Sequence, residues 1–457
     1  MLLGIAMLAG PLEARDPKPI PWDQITAEAT DLLSQYIRIN TTNPPGNEID
    51  AANLLKGKLT ADGIPSIVYK PAPGRAVIAA RLRGTGKHRK TIVLLNHMDV
   101  VPAEAKDWQV DPFSGIVKDG EVWGRGALDD KGPGVIQLMA ILALKRAGIL
   151  LDRDVLFLAT GDEETGGKLG AGWIAEHQRD LLADAGYVLN EGGEIRLESD
   201  GHKLYAVAVT EKSPLWIRLT TTGPSGHAST PPDQTAVSRL IRALNKLVGY
   251  QPPIKIEPVV EREFRRHGAL DHRSGASRDL RKALKDPAFA KQFLSVPMQA
   301  AMVRNTITPT VIAAGQKTNV IPSTAYAEID CRLLPGEDAK AFLQNIRGLI
   351  ADDSVKIEEI LNFPAVSSPE KSALMNAIQT VASRHDAKAP VIPTMLTGFT
   401  DSHYFRRLGL IAYGFTPLEI TQEQARTVHG TNERVSIDNL RGAIERTVTL
   451  LRIMGVR

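Results

Sequence analysis

One cysteine, Cys331, occurs in 457 residues, so no internal disulfide can form. The fold must stand on its apolar core or on bound metal. Cys331 lies in the alternating stretch AYAEIDCRL and reads as a buried thiol rather than a nucleophile. A single cysteine suits a cytoplasmic or a periplasmic location. Aromatic residues make up only 5% of the chain, and they single out no pocket for a large ring. No segment approaches the roughly 18 uninterrupted apolar residues of a membrane span. Charge of one sign is not concentrated anywhere: the net charge is +3, with no block that would mark a nucleic-acid surface. The short cluster Arg262, Arg265 and Arg266 is interleaved with Glu261 and Glu263, as on a solvated helix face. The apolar run at residues 1–10, MLLGIAMLAG, precedes PLEARD, where Leu12-Glu13-Ala14 could serve as a cleavage site. It lacks the positively charged region that opens a signal peptide and is short for the apolar part. Residues 1–22 are therefore a signal-like segment, implying a periplasmic or secreted protein, or a plain tail on a cytoplasmic one.

What is present is ordinary globular material, 43% hydrophobic and 23% charged, in a length comfortable for two domains. Asp23 to Arg38 and Glu48 to Ala61 read as helices around the turn-rich INTTNPPGNE. TIVLLNH (Thr91 to His97) and DVLFLAT (Asp154 to Thr160) are continuous apolar runs, as in strands buried on both faces. Helices are expected at Lys131 to Ala147, stopped by Gly148, and at Gly170 to His177. A third short strand is expected at Tyr187 to Asn190. Strands alternating with helices predict an α/β fold with a mixed, mostly parallel sheet covered on both sides. From Lys203 the texture changes to period-two alternation, as in antiparallel strands. A helix at Ala236 to Leu247 and a polar helical stretch at 258–300 follow. The α/β texture resumes near Ser367. The pattern is a smaller α+β unit inserted into a larger one.

Metal-capable side chains recur just after the buried strands. His97 and Asp99 follow the first, in LNHMDVVP. Asp129 precedes the long helix, in GRGALDDKG. Glu163 and Glu164 follow the next strand, and Glu191 the third. Ligands bind outside the carboxyl ends of strands in open α/β sheets, so these groups can converge on one crevice. An imidazole with several carboxylates suits zinc, cobalt or manganese. Each residue alone would be an ordinary surface carboxylate, a cap or a structural histidine. Their repetition at three successive strand ends beside glycine argues for a site.

The segments NHMDVVP, WQVDPFSGIVKDGEVWGRGALDDKG, GDEETGG, GPSGHAS, NVIPSTAYAEIDCRLLPG, TDSHYF and HGTNERV together resemble the co-catalytic dinuclear zinc family of aminoacylases, S-type and G-type carboxypeptidases and succinyl-diaminopimelate desuccinylase. The likeness runs from about Asp23 to Arg457. It implies a zinc-peptidase-like catalytic domain in two parts, 23–212 and 363–457, around a lid and dimerisation domain at 213–362. It implies two Zn2+, with Co2+ or Mn2+ as substitutes, on His97, Asp129, Glu164, Glu191 and His429. Asp129 would be the bridging carboxylate, while Asp130 stands where relatives usually carry methionine and would not be a ligand. Glu163 would be the general base. Asp99 would orient His97, because a ligating imidazole needs its other nitrogen held. His227 would reach the partner subunit's active site as an oxyanion donor, which implies a homodimer. Arg332 would take the substrate carboxylate, Arg being shaped for a bidentate fork. Asn305 and Gly398 would lie beside the substrate, and His403 would either contact it or be structural.

The adjacent pair Glu163-Glu164 has a chemical logic. One carboxylate stays ionised on a metal, and the other is free to remove a proton from a water whose pKa zinc lowers towards about 7. The expected activity is hydrolysis of the amide bond of N-acyl amino acids or short peptides beside a free carboxylate. The helical stretch at 258–300 resembles the aminoacylase and carboxypeptidase S branch, where the lid carries such an insertion. A dizinc amidase acting on a carbamoyl or other non-peptide amide is a second reading, and a non-catalytic metal- or peptide-binding protein a third.

Overall fold

The computed structural model describes residues 17–86, 90–198, 201–270 and 279–455. The signal-like run at 1–10 lies outside them. Among the described residues no helix is long and apolar enough to cross a membrane.

The expected buried strands Thr91–His97 and Val155–Thr160 lie side by side and parallel at the centre of a ten-stranded mixed sheet, every residue of both buried. Ala185–Asn190 runs parallel to Thr91–His97 on its other side, and Ile411–Gly414 continues the parallel order. Val77–Leu82 closes the opposite flank antiparallel, followed by Ser66–Tyr69. Lys203–Glu211, whose period-two alternation reads as an antiparallel strand, belongs to this sheet and pairs antiparallel with Ile195–Leu197. It is buried along almost its whole length and pairs in parallel with Val391–Leu396. Its alternation of valine and alanine resembles a half-exposed strand, but alanine can fill either face.

The helix Lys131–Arg146 is buried over its first fourteen residues and packs against Trp22–Arg38 and Ile437–Gly455. Pro133 sits in its first turn, where no intrahelical N–H donor is needed. A Cβ on Gly132 would stand 2.0 Å from the Ala127 carbonyl oxygen, and one on Gly134 2.7 Å from Asn96 Oδ1. Glycine at both positions seats the helix N-terminus directly behind the loop and strand that present Asp129 and His97.

A second sheet of four antiparallel strands runs in the order Thr306–Ala314, Thr324–Leu333, Ser213–Thr222, Lys356–Asn362. Leu215, Ile217 and Leu219 on one strand and Ala325, Ala327, Ile329, Cys331 and Leu333 on its neighbour alternate inward. They meet the helices Ala236–Gly249 and Ala339–Ile350 in a core of their own. Each large aliphatic side chain buried there contributes roughly 1.5–3 kcal/mol.

The helices Pro258–Leu270, Leu280–Ala283, Pro287–Leu294 and Pro297–Met302 do not join that core. Val260, Leu280, Phe293, Met302 and Val303 pack with the large sheet's residues. Glu263, 2% exposed, accepts hydrogen bonds from Thr394 and Arg196 at the far end of that sheet. The stretch expected as a lid insertion is thus fastened to the larger unit. Its amphipathic pattern is legible in sequence, but periodicity does not say which surface covers the apolar face.

Candidate metal centre

Three parallel neighbours in the large sheet deliver the candidate ligands at one edge. His97 is the last residue of Thr91–His97. Glu163 and Glu164 lie in the single 3-10 turn Glu163–Thr165 after Val155–Thr160, entered through Asp162 in the left-handed region at φ +70°. Glu191 follows Ala185–Asn190. Asp129 precedes the central helix, with the N-cap Asp130 between them. His429 arrives from far along the chain, in a turn where it holds φ +58°, just before Arg434–Ser436 pairs with Glu121–Trp123.

The side chains meet around Asp129. Its Oδ1 lies 3.0 Å from His97 Nε2 and its Oδ2 3.0 Å from His429 Nε2. Glu191 Oε1 is 3.5 Å from His97 Nε2, and Glu164 Oε2 is 3.2 Å from His429 Nε2. Donor atoms of His97, Glu163 and Glu191 all lie within 4.8 Å of one another, as do those of His97, Asp129 and Glu164. All these groups are buried or nearly so except His429, whose side chain is 55% exposed.

Like charge dominates the cluster. Burial pushes Glu163 well above the ordinary carboxylate range, and Glu191 beside it adds to the shift. Burial raises Glu191 strongly too, and burial with the Asp129 charge raises Glu164. Burial opposes ionisation of Asp129, yet hydrogen bonds from His429 and His97 hold its carboxyl far below the usual range. Burial would lower His97, but the Glu191 charge and the Asp129 hydrogen bond hold it well above its usual value. His429 is pushed up to about 11 against its own burial by Asp129 and Glu164. Four carboxylates thus crowd two imidazoles, and Glu164 Oε1 is buried without a hydrogen-bond partner. An excess of buried, convergent carboxylate oxygens with two imidazole nitrogens fits a pair of divalent cations, whose charge would relieve the repulsion.

A second layer holds these groups. The Asp99 carbonyl oxygen is 3.0 Å from His97 Nδ1, and its carboxylate accepts the backbone N–H groups of Glu163 and Glu164, each at 3.2 Å. Asp130, absent from the inner cluster, accepts the His97 backbone N–H at 3.1 Å. Two groups that sequence reasoning missed complete the layer. Asn43 donates to Asp99 Oδ2 at 2.7 Å, while its own carbonyl oxygen accepts from Arg75, which also binds Glu48. Glu433, fully buried, accepts from the backbone N–H groups of Gly126, Leu128 and Asp129 and from Arg125. Both lie in segments already quoted, TTNPPGNE and HGTNERV. A buried Asn beside two prolines and a Glu four residues after a ligand histidine were the available signals.

The remaining expected residues lie apart from this cluster. His227 is exposed on Gly226–His227, which pairs with Val320–Ile321, and its Nδ1 contacts Ser229. Arg332 binds Asp330 through two nitrogens, at 2.7 and 2.8 Å, and its guanidinium lies 4.7 Å from the Phe399 ring centroid. Asn305 accepts the Leu334 backbone N–H at 2.8 Å, which fixes the turn after Arg332. Gly398 follows Val391–Leu396 in the loop that carries Phe399. His403 is buried and stacked on Phe363 at 3.6 Å, with Nδ1 on the Thr400 carbonyl oxygen. Burial drives its pKa down to about 3, and its Nε2 is buried without a hydrogen-bond partner.

A mixed sheet that gathers buried carboxylates and an imidazole at its strand ends, beside a smaller sheet unit, has the arrangement of a metallohydrolase. Residues 93–452 match the family described as Peptidase family M20/M25/M40, and the chain belongs to that family. It is 30% identical over 378 residues to the probable carboxypeptidase S-like 2 of Dictyostelium discoideum, covering 79% of this chain and 71% of that protein. It is 29% identical to the N-fatty-acyl-amino acid synthase/hydrolase PM20D1 of Homo sapiens over 78% of this chain and 72% of that one. It is 28% identical to aminoacylase-1 of Homo sapiens over 85% and 87% of the two chains. In fold it is similar to the M20 family metallo-carboxypeptidase Sso-CP2 from Sulfolobus solfataricus, with a TM-score of 0.74 at 22% identity over 94% of this chain and all of that one. The protein is a hydrolase of the peptidase and aminoacylase kind.

Proposed function

We propose that the protein hydrolyses the amide bond of N-acyl amino acids or short peptides beside a free carboxylate, with Glu163 as general base and two zinc ions as cofactor. The observation that carries this reading is the Asp129 carboxylate, each oxygen of which faces a different histidine at 3.0 Å. His97, Asp129 and Glu191 would hold one cation, and Asp129, Glu164 and His429 the other. Co2+ or Mn2+ could substitute, given the mixed nitrogen and oxygen donors. When bound, such a pair supplies Lewis acidity, which acidifies a water towards neutral pH and polarises an amide carbonyl.

The chain's own groups do the rest. The Glu163 carboxylate removes the proton of the attacking water and passes it to the leaving amine nitrogen. Asp99 keeps that carboxylate and His97 in register through the two backbone N–H groups and the imidazole it touches. Arg332 exchanges its partner Asp330 for the substrate carboxylate, with Asn305 shaping the turn beside it and Gly398 leaving room in the facing loop. His227 of the partner subunit would donate to the oxyanion, which makes a homodimer through the smaller unit part of the proposal. The similarity to aminoacylase-1 and to an N-fatty-acyl-amino acid synthase/hydrolase supports N-acyl amino acids as the substrate class.

The test is release of free amino acid from N-acetyl, N-long-acyl, dipeptide and N-carbamoyl substrates by zinc-loaded enzyme, with a chelated control. Metal-dependent release from the acyl or peptide members is expected. Turnover of the carbamoyl member alone would replace the reading with that of a non-peptide amidase.

A further inference from the structure

The Arg125–Glu433 pair behind the cluster takes no part in the chemistry proposed above. It rests on the metal reading above and deepens it. Glu433 is 0% exposed and Arg125 2% exposed, and they pair at 2.7 Å across 308 residues of chain. Burying a charged pair is costly unless the remaining donors and acceptors find partners, and Arg125 Nε finds none. Here both Glu433 oxygens are used, and on the same target. Oε1 accepts the N–H groups of Leu128 at 2.7 Å and Asp129 at 3.0 Å, and Oε2 that of Gly126 at 3.1 Å. The carboxylate is thus wrapped by the loop that ends in Asp129. Arg125 closes the circuit, because its Nη2 donates to the Gly430 carbonyl oxygen at 2.7 Å, next to His429. The guanidinium also lies 5.2 Å from the Trp108 ring centroid, which confines it.

The consequences for the two halves of the cluster differ. His97 and Glu191 stand on the ends of buried central strands, so the sheet fixes them. His429 stands on a turn with φ +58°, more than half exposed, and reaches Asp129 Oδ2 only if its turn and the Asp129 loop keep their spacing. Glu433 grips one of these segments and Arg125 the other.

We infer that Glu433 and Arg125 are positioning residues chiefly for the second cation site, the one formed by Asp129, Glu164 and His429; the first site shares Asp129 but keeps His97 and Glu191 on the sheet, and so depends on them less. Glu433→Gln keeps the side-chain shape but turns an amide NH2 toward the donors that now face a carboxylate. Loss of outer-layer partners typically lowers metal affinity about 10- to 100-fold.

The experiment is a calorimetric zinc titration of the full-length apo protein, wild type against Glu433→Gln, with melting curves of both apo forms. The expected result is two ions bound by wild type. The variant should bind the second about 10- to 100-fold more weakly and the first with a markedly smaller loss, the part that comes from the shared Asp129. Arg125→Lys, which keeps a cation for Glu433 but not the fork that spans to Gly430, should show a smaller loss, again mainly at the second ion, and stands in if Glu433→Gln does not fold. Ile329→Ala, in the core of the smaller sheet, calibrates what lost stability alone does: its melting point should fall with both affinities unchanged. Two unchanged affinities in both pair variants, whatever happens to their melting points, would overturn the inference while leaving the metal reading intact. Equal weakening of both ions would also overturn it. A wild-type chain that takes up no zinc would remove the metal reading and this inference together.

Discussion

Glu163→Gln should move activity and metal-free stability in opposite directions. The amide is isosteric but cannot accept the proton of the attacking water. General acid–base catalysis is worth about 10²- to 10⁴-fold. The expected loss in kcat is of that order, or about 3–5 kcal/mol at roughly 1.4 kcal/mol per decade. Metal content, read by elemental analysis, should stay at the wild-type value because the other ligand candidates remain. Stability follows from electrostatics. Burial, then the charge of Glu191, raises the Glu163 pKa above its value of 4.5 in an open chain. The folded apo protein therefore holds this proton more tightly than the unfolded chain. The associated stability is full below pH 4.5 and is lost as pH rises through the folded value. Each unit of elevation costs the ionised apo protein about 1.4 kcal/mol. Glutamine carries no charge, so the chelated variant should melt above chelated wild type at pH 8, and the two should converge towards pH 4.5. Scanning calorimetry at both pH values reads the difference. A variant with kcat within threefold of wild type would refute Glu163 as the base. A lower apo melting point at pH 8 would refute the account of like-charge crowding.

Other outcomes can be checked in parallel. Asn43→Ala should weaken zinc binding by roughly tenfold, since Asp99 loses the donor that orients it, and Asn43→Asp should be worse because it sets carboxylate against carboxylate; zinc-competition assays measure both. Zinc uptake should release protons, because His429, pushed up to about 11, and His97 carry them in the apo cluster. Affinity should therefore rise with pH between 6 and 8, and calorimetry in buffers of different ionisation enthalpy counts the protons. Arg332→Lys should raise KM about 10- to 100-fold for substrates with a free carboxylate and leave their amidated analogues unchanged, since hydrogen bonds to charged groups are worth about 1.5–3 kcal/mol.

The inner cluster was legible in the sequence because it follows a local rule. An apolar run marks a buried strand, and the first polar residues after it lie at the carboxyl edge, so His97, Glu163, Glu164 and Glu191 could be placed before any coordinates. His429 follows no such rule: it sits in a turn before a three-residue strand, and only the resemblance of HGTNERV brought it in. Glu433 and Arg125 carry strong side-chain chemistry, but their meaning lies in contacts across about 300 positions that no periodicity encodes. The helices from Pro258 to Met302 were recognised as helices and attached to the wrong core, since an apolar face does not name its partner. The alternating alanine and valine of Lys203–Glu211 look half-exposed, although the strand is buried and has one parallel neighbour, Val391–Leu396.

His97 and His429 stand 332 positions apart on one chain. During synthesis the strands bearing His97, Glu163 and Glu191 leave the ribosome while the turn bearing His429, the Glu433 that braces it and the last helix are still unmade. The two imidazoles that face Asp129 can therefore meet only after the turn bearing His429 has been made.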